Sequence, residues 1–73
     1  MNHRITTQSG VLAGKPVIKG TRISVEFIVG LLARDWTVDD VLNEYHLDRQ
    51  DVLACLGYAH QVARRREKYP LST

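Results

Sequence analysis

Between Gly14 and Ile23 the chain reads Gly-Lys-Pro-Val-Ile-Lys-Gly-Thr-Arg-Ile, so two glycines and a proline punctuate cations and apolar residues just ahead of a helix start. Pro16 fixes its own φ and pushes Lys15 toward extended geometry, while Gly14 and Gly20 can take positive φ at little steric cost. The run therefore predicts a short strand that is entered and left sharply. Val17, Ile18 and Ile23 give it something to bury, and Lys15, Lys19 and Arg22 stay in water.

Three helices are expected after it. Ser24 suits an N-cap, with Glu26 in the first turn where the helix dipole favours an anion, and Val25, Ile28, Leu31 and Leu32 share a face that ends near Arg34 or Asp35. Thr37 opens the second helix with Asp40 three residues on, as in a capping box, and Val38, Val41, Leu42 and Tyr45 form its single apolar stripe. Asp48 can cap the third, with Asp51 in its first turn. Val52, Cys55, Leu56, Ala59 and Ala63 predict one apolar face running to Arg64, Arg65 and Arg66, and Pro70 stops any remaining helix. Only His46, Leu47 and Asp48 separate the second and third helices, a connection short enough for a helix-turn-helix. The fold class expected is mainly α: a three-helix, helix-turn-helix-like (homeodomain-like) core over residues 24–66, a two-stranded β arm over 1–23, and a C-terminal tail over 67–73.

With 73 residues this is one domain. A chain of that size buries only about 60% of its unfolded surface, so a lone monomer is marginal and a homodimer or a partner is expected. The strand at Val17 and Ile18 needs a covered edge, and pairing with a second subunit is the natural way to cover it. The single cysteine cannot form an internal disulfide, the first residues lack the apolar run of a signal peptide, and no stretch approaches the length of a membrane span. A soluble, cytoplasmic protein without membrane contact is the expectation.

The net charge of +2 conceals a division. Residues 1–22 hold Arg4, Lys15, Lys19 and Arg22 and no acid; residues 23–60 hold seven acids against Arg34 and Arg49; residues 61–73 hold Arg64, Arg65, Arg66 and Lys68 against Glu67. Runs of like charge are ordinarily solvated faces, yet four cations without an acid favour an anionic partner.

Chemistry of a catalytic kind finds little footing. His3, His46 and His60 are scattered without metal-ligand spacing, and Cys55 falls on an apolar helix face where a small buried hydrophobe is the expected role. The carboxylate pairs Asp39–Asp40 and Asp48–Asp51 are better explained by helix starts than by acid–base work. The glycine run does not match a phosphate-cradling loop, which would need a lysine where Thr21 stands. Neither an enzyme, a metal site nor a cofactor is expected. Phe27, Trp36, Tyr45 and Tyr58 suit core packing, with Trp36 the one to suspect of an interface.

If the second and third helices read DNA, the start of the third faces the major groove, which nominates Arg49 and Gln50 with Ala54 a turn later, and Lys15, Lys19 and Arg22 of the arm as phosphate contacts. Asp48 and Asp51 flank that pair and repel phosphate, so polar first-turn residues with no DNA role are the slightly better account.

The run from Gly14 to Ile23, followed by Ser24-Val25-Glu26, by Thr37-Val38-Asp39-Asp40-Val41-Leu42-Asn43-Glu44-Tyr45 and by Leu56-Gly57-Tyr58-Ala59, resembles the domain-of-unknown-function family DUF433 over roughly residues 10–60. Members commonly carry a proline where this chain has His46. Members are similar to VapB-type antitoxins, are often encoded beside a PIN-like nuclease toxin, and have a helix-turn-helix-like core. The resemblance therefore implies an antitoxin that binds and neutralises such a toxin, with operator DNA as a second partner. A basic segment comprising Arg64, Arg65, Arg66, Lys68 and Tyr69 could enter an acidic nuclease site and pair with its carboxylates. The alternatives are a helix-turn-helix regulator of transcription with no toxin, and a purely structural dimerisation module.

Overall fold

The computed structural model describes residues 3–66; Lys68, Tyr69 and the rest of the expected tail lie outside the described residues. Strand β1 (Ile5–Thr6) pairs antiparallel with β2 (Val17–Ile18), Ile5 opposite Ile18 and Thr6 opposite Val17, and helices α1 (Val25–Ala33), α2 (Val38–Tyr45) and α3 (Arg49–Arg66) follow. The protein is mainly helical, with a small antiparallel N-terminal sheet, as the periodicity predicts.

The glycines of the opening run behave as glycines must at sharp turns: Gly14 enters β2 at φ 79° and Gly20 leaves it at φ 81°. Beyond Gly20 the chain folds straight back. The Ile18 amide donates to the Ile23 carbonyl (2.9 Å), the Val25 amide donates to the Pro16 carbonyl (3.0 Å), and Thr21 Oγ1 ties the turn by donating to Ile18 O (2.7 Å). Val17 also bridges Ser24. Both edges of β2 are thus taken within the chain, by β1 and by residues 23–25. The covering of this strand that was expected from a second subunit is supplied by the chain itself. β1, two residues long, is left as the outer edge of the arm.

Each helix starts as its cap residue dictates. Ser24 accepts from the Phe27 amide at 2.9 Å. Thr37 and Asp40 close a full capping box, with Asp40 N donating to Thr37 Oγ1 and Thr37 N to Asp40 Oδ2, each at 3.0 Å. Those bonds hold the Asp40 carboxyl below its ordinary value, the Thr37 backbone amide contributing most. Both α1 and α2 end on non-glycine residues in the left-handed region, Asp35 at φ 75° and His46 at φ 56°. Trp36 N reaches back to Leu31 O (3.1 Å) and Leu47 N to Leu42 O (3.2 Å), closing both ends with six-to-one bonds. A proline, locked near −65°, cannot take the backbone of His46, so this turn is built differently from one with proline there.

The core is Val17, Ile18, Val25, Ile28, Leu31, Val41, Val52 and Cys55, all buried, with Leu32, Leu42, Tyr45 and Ala59 half-buried around them. The expected faces of α1 and α2 are confirmed. On α3 the face is rotated: Leu56, expected inside, is 38% exposed and Ala63 is exposed, whereas Tyr58 and Val62 turn partly inward. The reason is that Val52, Cys55 and Ala59 already meet α1 and α2, which places Leu56 on the flank of that line. Phe27, also expected to pack, is 42% exposed, but its ring meets Tyr45 edge-on at 5.4 Å and Tyr45 stacks with Trp36 at 6.3 Å.

Candidate partner-binding surfaces

The start of α3 is fastened to the arm. Asp48 and Asp51 form a second capping box, Asp51 N donating to Asp48 Oδ1 (3.0 Å) and Asp48 N to Asp51 Oδ2 (3.1 Å). Arg4 Nη1 then donates to both carboxylates, at 3.1 and 3.2 Å to Asp48 and 2.9 Å to Asp51. The Asp48 carboxyl is held below its ordinary value, by the Asp51 amide first and by Arg4 after it, while the Arg4 guanidinium is held more firmly charged by Asp51 and then Asp48. The pairing of Arg4 with acids more than forty residues away was not visible in the sequence. It means that one of the four N-terminal cations is spoken for, and that the two carboxylates flanking Arg49 and Gln50 are partly neutralised.

Arg49 and Gln50 are exposed in the first turn of α3, as expected. Lys19 lies at the same end of the molecule, because its amide donates to the Arg4 carbonyl at 2.7 Å, and Arg22 is exposed in the turn that follows. Lys15 is elsewhere. It pairs with Glu26 at 3.1 Å on the α1 side, so the five residues nominated for DNA do not form one group.

Lys15, Pro16 and Glu26 border an open trough of about 560 Å³ floored by Val25, Val29, Ala33, Tyr58, Val62 and Ala63, between α1 and the second half of α3. Arg64, Arg65 and Arg66 follow at once, exposed in the last helical turn, where cations complement the helix dipole. None of the ion pairs among the described residues involves them. A second hollow, polar and acidic, is lined by Asp35, Trp36, Asp40, Asn43 and Glu44, which puts Trp36 at the surface as well as on the aromatic stack.

Cys55 is fully buried, and burial, with Asp51 adding to it, pushes its thiol up to about 11. Among the described residues no three His, Cys, Asp or Glu side chains gather as a metal site, and no helix is long and apolar enough to cross a membrane.

The model of the family described as "Protein of unknown function (DUF433)" matches residues 5–59, from β1 to the middle of α3. The chain belongs to the DUF433 family. Its fold is similar to the crystal structure of a DUF433 member protein from Anabaena variabilis ATCC 29413, with a TM-score of 0.79 and 27% sequence identity over 85% of this chain. The chain spans 62% of the length of that protein. No curated protein matches it. The family match takes in both strands of the arm, the two aspartates that Arg4 clamps, Arg49 and Gln50, but leaves out Arg4 and stops before Arg64, so the basic end of α3 in this DUF433 chain lies outside the matched segment.

Proposed function

We propose that this DUF433 protein is a binding protein, the antitoxin of a toxin–antitoxin pair, which neutralises a PIN-like ribonuclease by occupying its acidic site. The observation that supports this reading is the contrast between the two ends of α3. At its start the charges are internally paired, Arg4 with Asp48 and Asp51; at its end Arg64, Arg65 and Arg66 stand exposed with no acid partner among the described residues. A nuclease that holds a divalent metal does so with clustered carboxylates, and guanidinium groups entering there form charge-assisted hydrogen bonds and compete with metal and RNA. Lys68 and Tyr69 extend the same segment in sequence.

The test is co-expression with the protein of the adjacent reading frame. A stable complex is expected, with nuclease activity suppressed, and changing Arg64, Arg65 and Arg66 together to Ala should release that activity. A neighbour that is neither toxic alone nor bound by this chain overturns the reading.

A second reading, operator binding through α3, is favoured by one observation: the Arg4 clamp lowers the negative charge beside Arg49 and Gln50. On that reading Arg49→Ala weakens operator retention and reduces its salt dependence.

A further inference from the structure

Residues 49, 53, 56, 57, 60 and 64 recur at the spacing of a single helix face, and along α3 they are Arg49, Leu53, Leu56, Gly57, His60 and Arg64. All six are exposed, on a face turned away from Cys55, with Leu56 at its edge nearest Val52. Leu53 and Leu56 are 48% and 38% exposed, two of the four large apolar side chains so placed in the described molecule. Between them and His60 sits Gly57, within the helix and with ordinary backbone, and a Cβ built on it would meet nothing within 4 Å. No turn and no neighbour inside the chain requires a glycine there, although glycine disfavours an interior helical position. An open strip of bare backbone beside two leucines is what close approach of another helix needs.

We propose that this outward face of α3 is a docking face for an amphipathic helix of the partner protein whose apolar stripe is flanked by carboxylates, crossing α3 at Gly57. The choice of occupant follows from charge. The face has a cation at each end, Arg49 and Arg64, about 22 Å apart, and no acid between them, since Asp51 faces Arg4 instead. Two copies of α3 laid together here would set arginine against arginine, in either direction, so self-pairing is disfavoured and an acid-flanked helix is matched. Leucines at the centre are equally poorly suited to a DNA groove, where they meet only thymine methyl groups. The proposal rests on the antitoxin reading and adds to it the surface and the chemistry by which the partner is held; the basic end then reaches past the docked helix.

The experiment measures binding of the purified product of the adjacent reading frame to the full chain and to Leu53→Glu, Leu53→Arg, Gly57→Ala and Gly57→Leu. Both positions are exposed, and circular dichroism of each free variant checks that it remains folded. Leu53→Glu and Gly57→Leu should weaken the complex about tenfold or more, Leu53→Arg distinctly less than Leu53→Glu, and Gly57→Ala should raise the melting temperature of the free chain without strengthening the complex. A complex that survives Leu53→Glu and Gly57→Leu but is lost on changing Arg64, Arg65 and Arg66 overturns the docking face and leaves the antitoxin reading standing. Absence of any complex with the unaltered chain overturns both. Loss of operator retention by Leu53→Glu with partner binding intact reassigns the face to DNA and overturns the proposal.

Discussion

Arg4 is one side chain holding two elements together, and one of its partners, Asp48, responds to acid. The Asp48 carboxyl is held below its ordinary value by the Asp51 amide and by Arg4, so the stability it contributes is present above the ordinary carboxylate range and is lost as pH falls through the lowered value. Urea melts from pH 6 down to pH 3, a range chosen to bracket the ordinary value of about 4, should show falling stability, and Asp48→Asn should flatten that slope. A slope unchanged by the substitution would place the acid sensitivity elsewhere. Burial separates two other helical residues as sharply. Ile28→Ala in the α1 core should cost about 2 to 5 kcal/mol, whereas Leu56→Ala, on the exposed flank of α3, should cost less than about 1 kcal/mol. Equal costs in denaturant melts would mean that Leu56 is packed after all.

Among the elements, the helix N-caps and the two glycine turns were legible to the residue, while the left-handed ends at Asp35 and His46 were not. Ser24, Thr37 with Asp40, and Asp48 with Asp51 occupy the positions their side chains suit, and Gly14 and Gly20 take the positive φ expected of them. What could not be read was rotation about α3: Leu56 and Tyr58 lie on either side of the line through Val52, Cys55 and Ala59, and which flank turns inward depends on where α1 lies, a tertiary fact. The Arg4 clamp was hidden for the same reason, since sequence patterns report neighbours one turn apart and not residues brought together by an arm. The candidate site was legible as a set of cations but not as a surface, because Lys15 and Lys19 leave β2 at opposite ends, one toward Glu26 and the other toward Arg4. Glycines offer a direct check of these elements. Gly30→Ala, where an added Cβ meets nothing and φ is ordinary, should stabilise the chain by about 0.5 to 1 kcal/mol, while Gly20→Ala at φ 81° should destabilise it by about 1 kcal/mol. Thermal melts giving the two changes the same sign would contradict the turn geometry.

At the scale of the molecule, the α3 helix joins an internally neutralised end to a cationic one, and the protein's radius of gyration of 13.3 Å exceeds the roughly 11 Å of a compact domain this long. The excess reflects a last helix that outruns the core, leaving the trough beside α1 open. Removing residues 1–6 takes away β1 and Arg4 together, uncovers one edge of β2 and leaves Asp48 and Asp51 unpaired. The truncated chain should melt at lower temperature and self-associate in sedimentation runs, whereas Arg4→Ala should lower the melting temperature without association. Identical behaviour of the two would show that the strand edge needs no cover.

The same clamp orders events in time. The three helices are joined by connections of a few residues and can find one another quickly, but the contact between Arg4 and Asp48 spans 44 positions, and closing so wide a loop is entropically the dearest step. The arm should therefore dock last on folding and release first on unfolding. Amide exchange at Lys19, whose proton is held by the Arg4 carbonyl, should then run ahead of exchange at Ile28 in the core. A partner that grips the start of α3 would find this latch already working loose on its own.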